Sequence, residues 1–550
     1  MSNALRQKFL NPPYYYTPVP FWFINGDLSE SRLRSQLEDF RAHGVYIMIL
    51  SPRMGFDPSV PYLSETYFRW MTFIVQNMAR LGMQVVFNDD AMYPSGAAGG
   101  LVVQENPDFA AKCIHMVEGP VCPPGKVIAH VAVVKTGDTA FRMHSNRLIS
   151  PEHPLMPEET ELWIVQCFSG GTIRGTQPDQ DDNMPNAPLA ADLLMPEAVS
   201  CFLRLTHDAY YTHLGQYFHN TISGFYTSQP NPLGRNALQG ARPWTEGLEK
   251  DWFAQRRTLA ELPMLWWDGG PSTEAVREDF EHMITVRLEK TYYFPMGRWC
   301  REHNVEISGH PLAADSIRLQ RSFTIPGQDL VWRSVAPGTR SITGTESTLA
   351  QCAADNARLM GKERCCCMVF GSCGPDESQW GMTVQDMVWM LNWLFVRGIN
   401  LISPHAHFYD LHNLLTMNTR PPDVGMHNYW WSHSNLLTCY TARMCALNTG
   451  LSQARVALLT MGDHIPWKTA AGLLQHQIPF IYMEPPEFLA ATVEGNELVL
   501  GKHRFLAVIH GPMERENRAI YQKLCEIMDA GVAVLMMRQG GRQSTEDMAL

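Results

Sequence analysis

The sequence lacks the features that would assign it to a membrane, to an oxidising compartment or to nucleic acid. No stretch of roughly 18 or more uninterrupted apolar residues occurs, so an apolar spanning helix is not expected. The N-terminal segment, MSNALRQKFLNPPYYY, has an early arginine and lysine but no apolar core of secretory length, and the expected location is the cytoplasm. A basic excess is missing too: 44 Lys and Arg stand against 55 Asp and Glu, a formal net charge of -11 spread along the chain. That balance offers no cationic groove for a phosphate backbone, which removes nucleic acid from the expected partners. The 13 cysteines show no spacing of a disulfide or zinc framework, and the consecutive Cys365, Cys366 and Cys367 would face alternate sides of a strand. Reduced, mostly buried thiols are expected.

What is present is a long chain with ample apolar content. At 550 residues with 45% hydrophobic and 18% charged content, it exceeds one ordinary domain, and two are expected. Residues 29–43 carry Leu33, Leu37 and Phe40 at helical spacing and stop at Gly44, and 45–50 is a continuous apolar run. The pattern recurs. Ser64 caps a helix with Phe68, Met71, Val75 and Met78, Gly82 ends it, and 83–87 is the next buried strand. Later helix-then-strand pairs are expected at 196–218 with 222–227, and at 274–303 with 305–308. Thr383 and Asp386 suggest a capping box for a helix with Met387, Met390, Leu391 and Leu394, followed by a strand at 399–403.

Alternation of this kind implies a parallel sheet, and the fold class expected is α/β: a TIM (β/α)8-type barrel over 1–450. A segment at about 115–188, with strand-like runs at 127–134 and 162–168, reads as a β-rich insertion. Residues 451–550 show three short strands at 455–460, 505–510 and 532–537, and a helix with Ile520, Leu524 and Ile527. That reads as a smaller, flavodoxin-like, doubly wound α/β domain with fewer strands than usual.

A barrel of this class carries its site where strands end and loops begin. SPRMGF at 51–56 (with Arg53), NDDAMYPSGAAGG at 88–100, TSQPNPLGR at 227–235 and SGHPLAAD at 308–315 all fall there. Asp89 and Asp90 directly follow a strand and precede a glycine-rich turn, so they are the first choice for acid/base work or for binding sugar hydroxyls or a cation. The plainer role is that one acid caps the turn and the other is solvated. His310, His405 and His407 also follow strands; metal ligation and hydrogen bonding to a polyol are both open to them, and no metal or other cofactor is expected. Trp22, Trp266, Trp267, Trp430 and Trp431 offer flat faces to sugar rings, or core packing.

Several ordered blocks carry a family resemblance. PFWFINGDLSESRLRSQLEDFRAHGV, SPRMGF, YLSETYF, DDAMYPSGAAGG, FYTSQPNPLGR with ARPWTEG, WCREHNVEISGHPLAAD, IPGQDLVWR, and VRGINLISPHAHFYD with RPPDVG resemble the α-L-rhamnosidase-related proteins of glycoside hydrolase family 106 over roughly residues 19–431. The resemblance implies a TIM barrel with an inserted β segment, and an amidotransferase-like domain over 451–550. The departures fall on acids. Where the family pattern reads Asp-Glu this chain has Asp89 and Asp90; where it reads Asp-Glu-Pro, Ser228, Gln229 and Pro230; and where it presents a glutamate before Phe-Gly, Met368.

Inverting hydrolysis needs an acid and a base carboxyl roughly 6.5–9.5 Å apart, and neither an amide nor a thioether can act as either. One reading is therefore a glycoside hydrolase for rhamnose-type or related glycosides, with Asp89, Asp90 and Glu346 (or Glu306) as its acids. A second is a catalytically silent barrel that binds carbohydrate or a partner, with Arg53, Gln229, His310, Met368, His405 and Trp22 contacting the ligand. A third is a metal-dependent hydrolase built on His310, His405 and Asp90. A homo-oligomer is left open.

Overall fold

The computed structural model describes residues 3–313, 315–330, 334–371, 380–411, 423–460, 465–511 and 518–537. Eight short strands recur along the first 404 residues: β1 (Phe21–Gly26), β2 (Ile47–Phe56), β3 (Gln84–Asn88), β4 (Ile222–Ser228), β5 (Glu306–His310), β6 (Gly327–Leu330), β7 (Cys366–Val369) and β8 (Leu401–Pro404). Five of them lie in sequence order in one sheet, β5-β4-β3-β2-β1, extended past β1 by His407–Phe408; β6-β7-β8 form another. Every neighbouring pair runs parallel. Hydrogen bonds also pass between the sheets at both margins. Ile325 N donates to Ile307 O at 3.1 Å beside β5, and Val19 N donates to Ile402 O at 2.8 Å ahead of β1.

The local signals act as read. Helix α1 (Glu30–Ala42) is capped by Ser29, whose side chain accepts from Arg32 N, and it buries Leu33, Leu37 and Phe40. Helix α2 (Glu65–Leu81) is capped by Ser64 and stopped by Gly82 at φ 64°, a left-handed conformation that glycine adopts without steric penalty. The apolar runs that follow them become β2 and β3. Residue alternation then splits β1: Trp22 and Ile24 join the large core beneath the helices, while Phe21 and Phe23 join a smaller inner cluster with Tyr226, Cys366 and Met368. The cysteine run behaves the same way, with Cys366 inside and Cys365 and Cys367 outside, all three free and buried.

The insertion is a five-stranded antiparallel sheet ordered Arg242–Pro243, Lys112–Glu118, Thr160–Phe168, Lys126–Val133 and Arg147–Leu148. Its edge strand comes from well beyond 188, because residues 242–243 fold back against Cys113 and Ile114. At the C-terminal end, β9 (Val456–Leu459), β10 (Phe480–Met483), β11 (Ala507–His510) and β12 (Ala533–Met536) form a parallel sheet ordered β10-β9-β11-β12. Strand β10 was not expected; its four residues follow a helix and are too few to show a period.

This sheet shares a core with helix α3 (Glu346–Leu359), which lies between β6 and β7 in the chain. Leu349 and Cys352 pack with Leu458 and Tyr482, Gln351 Nε2 donates to Phe480 O at 2.9 Å, and Tyr482 N donates to Asp355 at 2.9 Å. No helix among the described residues is long and apolar enough to cross a membrane.

Candidate functional site

One cavity of about 350 Å³ receives side chains from seven of the eight strands and from the residue just after the eighth. Phe21 and Phe23 come from β1, Ser51 and Arg53 from β2, Asn88 from β3 and Ser228 from β4. His310 ends β5, Asp329 and Met368 lie on β6 and β7, and His405 follows β8. Asp329 and Met368 are register partners, so the carboxyl and the thioether stand side by side on adjacent strands. Gln229, just past β4, is held at φ 48° with its N–H on His310 O at 3.1 Å, and its Nε2 lies 3.5 Å from Asp329 Oδ2.

The electrostatics follow from burial. Asp329 is pushed up to about 7 because its carboxyl is removed from water, and its Oδ1 has no hydrogen-bond partner. His310 is driven down to about 3 and His405 well below its ordinary value by the same cause, so both rings are neutral at pH 7. Tyr226 Oη and His310 Nδ1 are 3.0 Å apart, which leaves His310 Nε2 buried and unpartnered. Arg53 lies 4.3 Å over the Phe23 ring, and burial lowers its guanidinium to about 10.

Arg53, Gln229, His310, Met368 and His405 thus line one cavity. The proposed acids are not among them. Asp90 is fully buried and its two oxygens accept five backbone N–H groups, from Ala91, Gly96, Ala97, Ala98 and Gly99, at 2.6 to 3.0 Å. It shapes the turn that places Met92 and Tyr93 on the cavity wall. Asp89 is also fully buried; its Oδ1 accepts from Ser95 Oγ at 2.5 Å, and burial raises it to about 8. The turn-capping role for this pair is the one the geometry carries, although neither acid is solvated.

Glu346 is exposed at the start of α3, and Glu306 is exposed at the opposite end of β5 from His310. Trp22 lies on the outer face of β1, where its Nε1 donates to Gln36 at 3.1 Å, so alternation assigns cavity contact to Phe21 and Phe23 instead. Trp266, Trp267, Trp430 and Trp431 do not line this cavity. His407 faces Phe40 and Trp431 on the outer side. No group of three or more His, Cys, Asp or Glu suited to a metal occurs among the described residues, so His310, His405 and Asp90 do not assemble as a ligand set.

Among the lining residues that were not singled out from the sequence, three carry ionisable groups of acid or guanidinium type: Asp329, Arg174 and Arg235. Asp329 lies on a strand reading GQDL, whose polar residues hide the apolar run that marks the other strands. Arg174 follows the insertion's last long strand, and Arg235 ends the TSQPNPLGR block. Nothing local distinguishes either from a solvated arginine.

No protein-family model matches this sequence, and no curated protein does either. Solved structures do. A rhamnosidase from Novosphingobium sp. PP1Y superposes with a TM-score of 0.71 at 14% identity, over 96% of this chain and 69% of that one. A beta-galactosidase from Rahnella sp. R3 superposes with a TM-score of 0.53 at 10% identity, over 94% of this chain and 71% of that one. At such identities the likeness is one of architecture, and the chain has a glycoside-hydrolase-like fold.

Proposed function

We propose that the eight strands form one (β/α)8-type barrel and that its cavity binds a glycoside, of rhamnose type or related, as a carbohydrate-binding site with little or no hydrolytic power. The observation that carries this reading is the acid count. Among the described residues lining the cavity, Asp329 is the single carboxyl group, and its neighbours are the amide Gln229 and the thioether Met368. Two-carboxylate hydrolysis has no second group there to activate water. Binding has what it needs: aromatic faces at Phe21 and Phe23, an unpartnered imidazole nitrogen on His310, and the carboxyl and amide of Asp329 and Gln229 for sugar hydroxyls. We place the barrel within residues 1–450 and read 451–550 as an amidotransferase-like domain.

A second reading rests on Asp329 alone. A carboxyl group at about 7 on the cavity wall is protonated often enough near neutral pH to serve as a general acid. In that case an aryl rhamnoside, fucoside, galactoside or glucuronide is cleaved by the wild-type chain and not by Asp329→Asn. The binding reading expects no release from any of these and a measurable heat of binding by calorimetry. Installing Gln229→Glu and Met368→Glu together is expected to create aryl-glycosidase activity; a folded, sugar-binding double variant that stays inert counts against the reading of replaced acids.

A further inference from the structure

Two cysteines far apart in the sequence meet on the insertion sheet, away from the cavity. Cys113, on the strand Lys112–Glu118, and Cys167, on the strand Thr160–Phe168, are register partners in an antiparallel ladder. Residues directly opposed in such a ladder have Cα atoms roughly 4.5 or 5.5 Å apart, both inside the roughly 4.4–6.8 Å span that a disulfide bridges. Both cysteines are free, and their sulfurs are 3.7 Å apart. Closing a bond of about 2.05 Å from there asks for side-chain rotation and no change of register.

The surroundings divide the chemistry between the two thiols. Cys113 is 0% exposed, and burial, with the neighbouring sulfur, pushes its thiol well above the ordinary value. It stays protonated, and no reagent in solution reaches it. Cys167 is partly exposed near the end of its strand. His115 lies two residues past Cys113, hence on the same face of the sheet, and its Nδ1 is 3.5 Å from Cys167 Sγ. Burial lowers His115 below its ordinary value, so its ring is neutral at pH 7 and able to take a proton. The thiolate is the reactive form of cysteine, and a neutral imidazole in contact with the thiol generates it.

We propose that Cys113 and Cys167 form a thiol–disulfide exchange site in which Cys167 attacks, His115 takes its proton and Cys113 resolves, the oxidant being a small-molecule disulfide of the glutathione class. In the first step Cys167 Sγ bonds one sulfur of the reagent and expels the other as a thiol, to which His115 passes the proton. In the second, Cys113 Sγ bonds Cys167 Sγ and expels the remaining reagent sulfur, which takes the Cys113 proton. Two protein thiols are oxidised to one disulfide while one reagent disulfide is reduced to two thiols, so no further oxidant is needed. The new bond closes a loop around two strands of the insertion, Lys126–Val133 and Arg147–Leu148, and cross-links it. Neither cysteine lines the cavity, so the site does not depend on what the cavity binds.

The test incubates the reduced full chain with oxidised glutathione and maps its peptides without reduction. A peptide pair joined through Cys113 and Cys167, and released by dithiothreitol, is expected. The exposed Cys122, Cys439 and Cys525 show that the reagent has reached the chain. Cys113→Ala is expected to halt the reaction with glutathione on Cys167, and Cys167→Ala to leave Cys113 a thiol, while thermal unfolding confirms that each variant is folded. His115→Gln is expected to slow capping of Cys167 by iodoacetamide at least about five-fold at pH 7, with the gap closing at pH 9 where hydroxide removes the proton unaided. Glutathione on the exposed cysteines with Cys113 and Cys167 still thiols overturns the exchange site, as does glutathione that stays on Cys167 of the wild-type chain. Glutathione on Cys113 in folded Cys167→Ala overturns the assigned order, and a capping rate untouched by His115→Gln overturns the assigned base.

Discussion

Replacing Asp90 by asparagine tests whether this acid is structural, and the structure sets the size of the effect. Oδ1 accepts from the amides of Ala91 and Gly99 at 2.8 and 2.6 Å, and Oδ2 from those of Gly96, Ala97 and Ala98 at 2.9 to 3.0 Å. Asparagine keeps one acceptor oxygen and turns the other position into a donor. In the better orientation the amide oxygen serves the three amides of residues 96–98, and the two on the other side face an N–H₂ group. Each buried N–H without an acceptor costs about 1–3 kcal/mol, so Asp90→Asn is expected to lose about 2–6 kcal/mol of stability. Urea unfolding followed by tryptophan fluorescence reads this directly. Because Met92 and Tyr93 ride on the same turn, ligand binding is expected to weaken as well, so lost function in this variant does not by itself make Asp90 a chemical participant. A variant within about 0.5 kcal/mol of wild type that nevertheless loses all function would refute the reasoning and return Asp90 to the reaction.

Asp329 holds a proton up to about pH 7 in the folded chain, whereas an unfolded aspartate has lost it above about 3.9. The folded state thus binds the extra proton between those values, and wild-type stability relative to Asp329→Asn is expected to fall as pH rises from 4 to 7, by at most about 4 kcal/mol. Parallel stability curves for the two proteins would show that the carboxyl is not perturbed. Trp22→Phe removes the bond to Gln36 and part of a buried ring; a loss of about 1–3 kcal/mol with ligand affinity within two-fold of wild type is expected. A ten-fold loss of affinity at unchanged stability would put Trp22 back in the site. Arg321 bonds Glu484 at 2.7 Å and Glu487 at 2.8 Å, so Arg321→Met removes an ion pair that ties the segment after β10 to the residues just ahead of β6. Limited proteolysis in low urea is expected to cut within 455–537 before the rest of the chain, and simultaneous cleavage throughout would argue against a separable attachment.

The helix-then-strand alternation was legible because each unit states its own limits. Ser64 and Thr383 cap helices in the structure as their spacing suggests, and Gly82 stops one. Strands that bury both faces showed as apolar runs, which is why β2, β3, β4, β5 and β8 were found. Strand β6 was missed because two of its four residues, Gln328 and Asp329, are polar. Its polarity is a property of the cavity it lines, and no local pattern records that. The cavity lining itself divides in the same way. Arg53, Gln229, His310 and His405 could be picked out because they follow or end apolar runs, and Met368 through the family resemblance, whereas Asp90 also sits at a strand end and spends its oxygens on its own turn.

By itself, the sequence determined the alternating α/β architecture and the inserted β segment. These depend on neighbouring residues, on period and on residue type, all of which are local. Only the tertiary structure decided that Phe23 rather than Trp22 meets the cavity, that His405 and His407 part to opposite sides, and that Asp329 stands beside Gln229 and Met368. Charge and solvent access at one point are set by groups from segments far apart in the chain, and that sum exists only once the strands have come together.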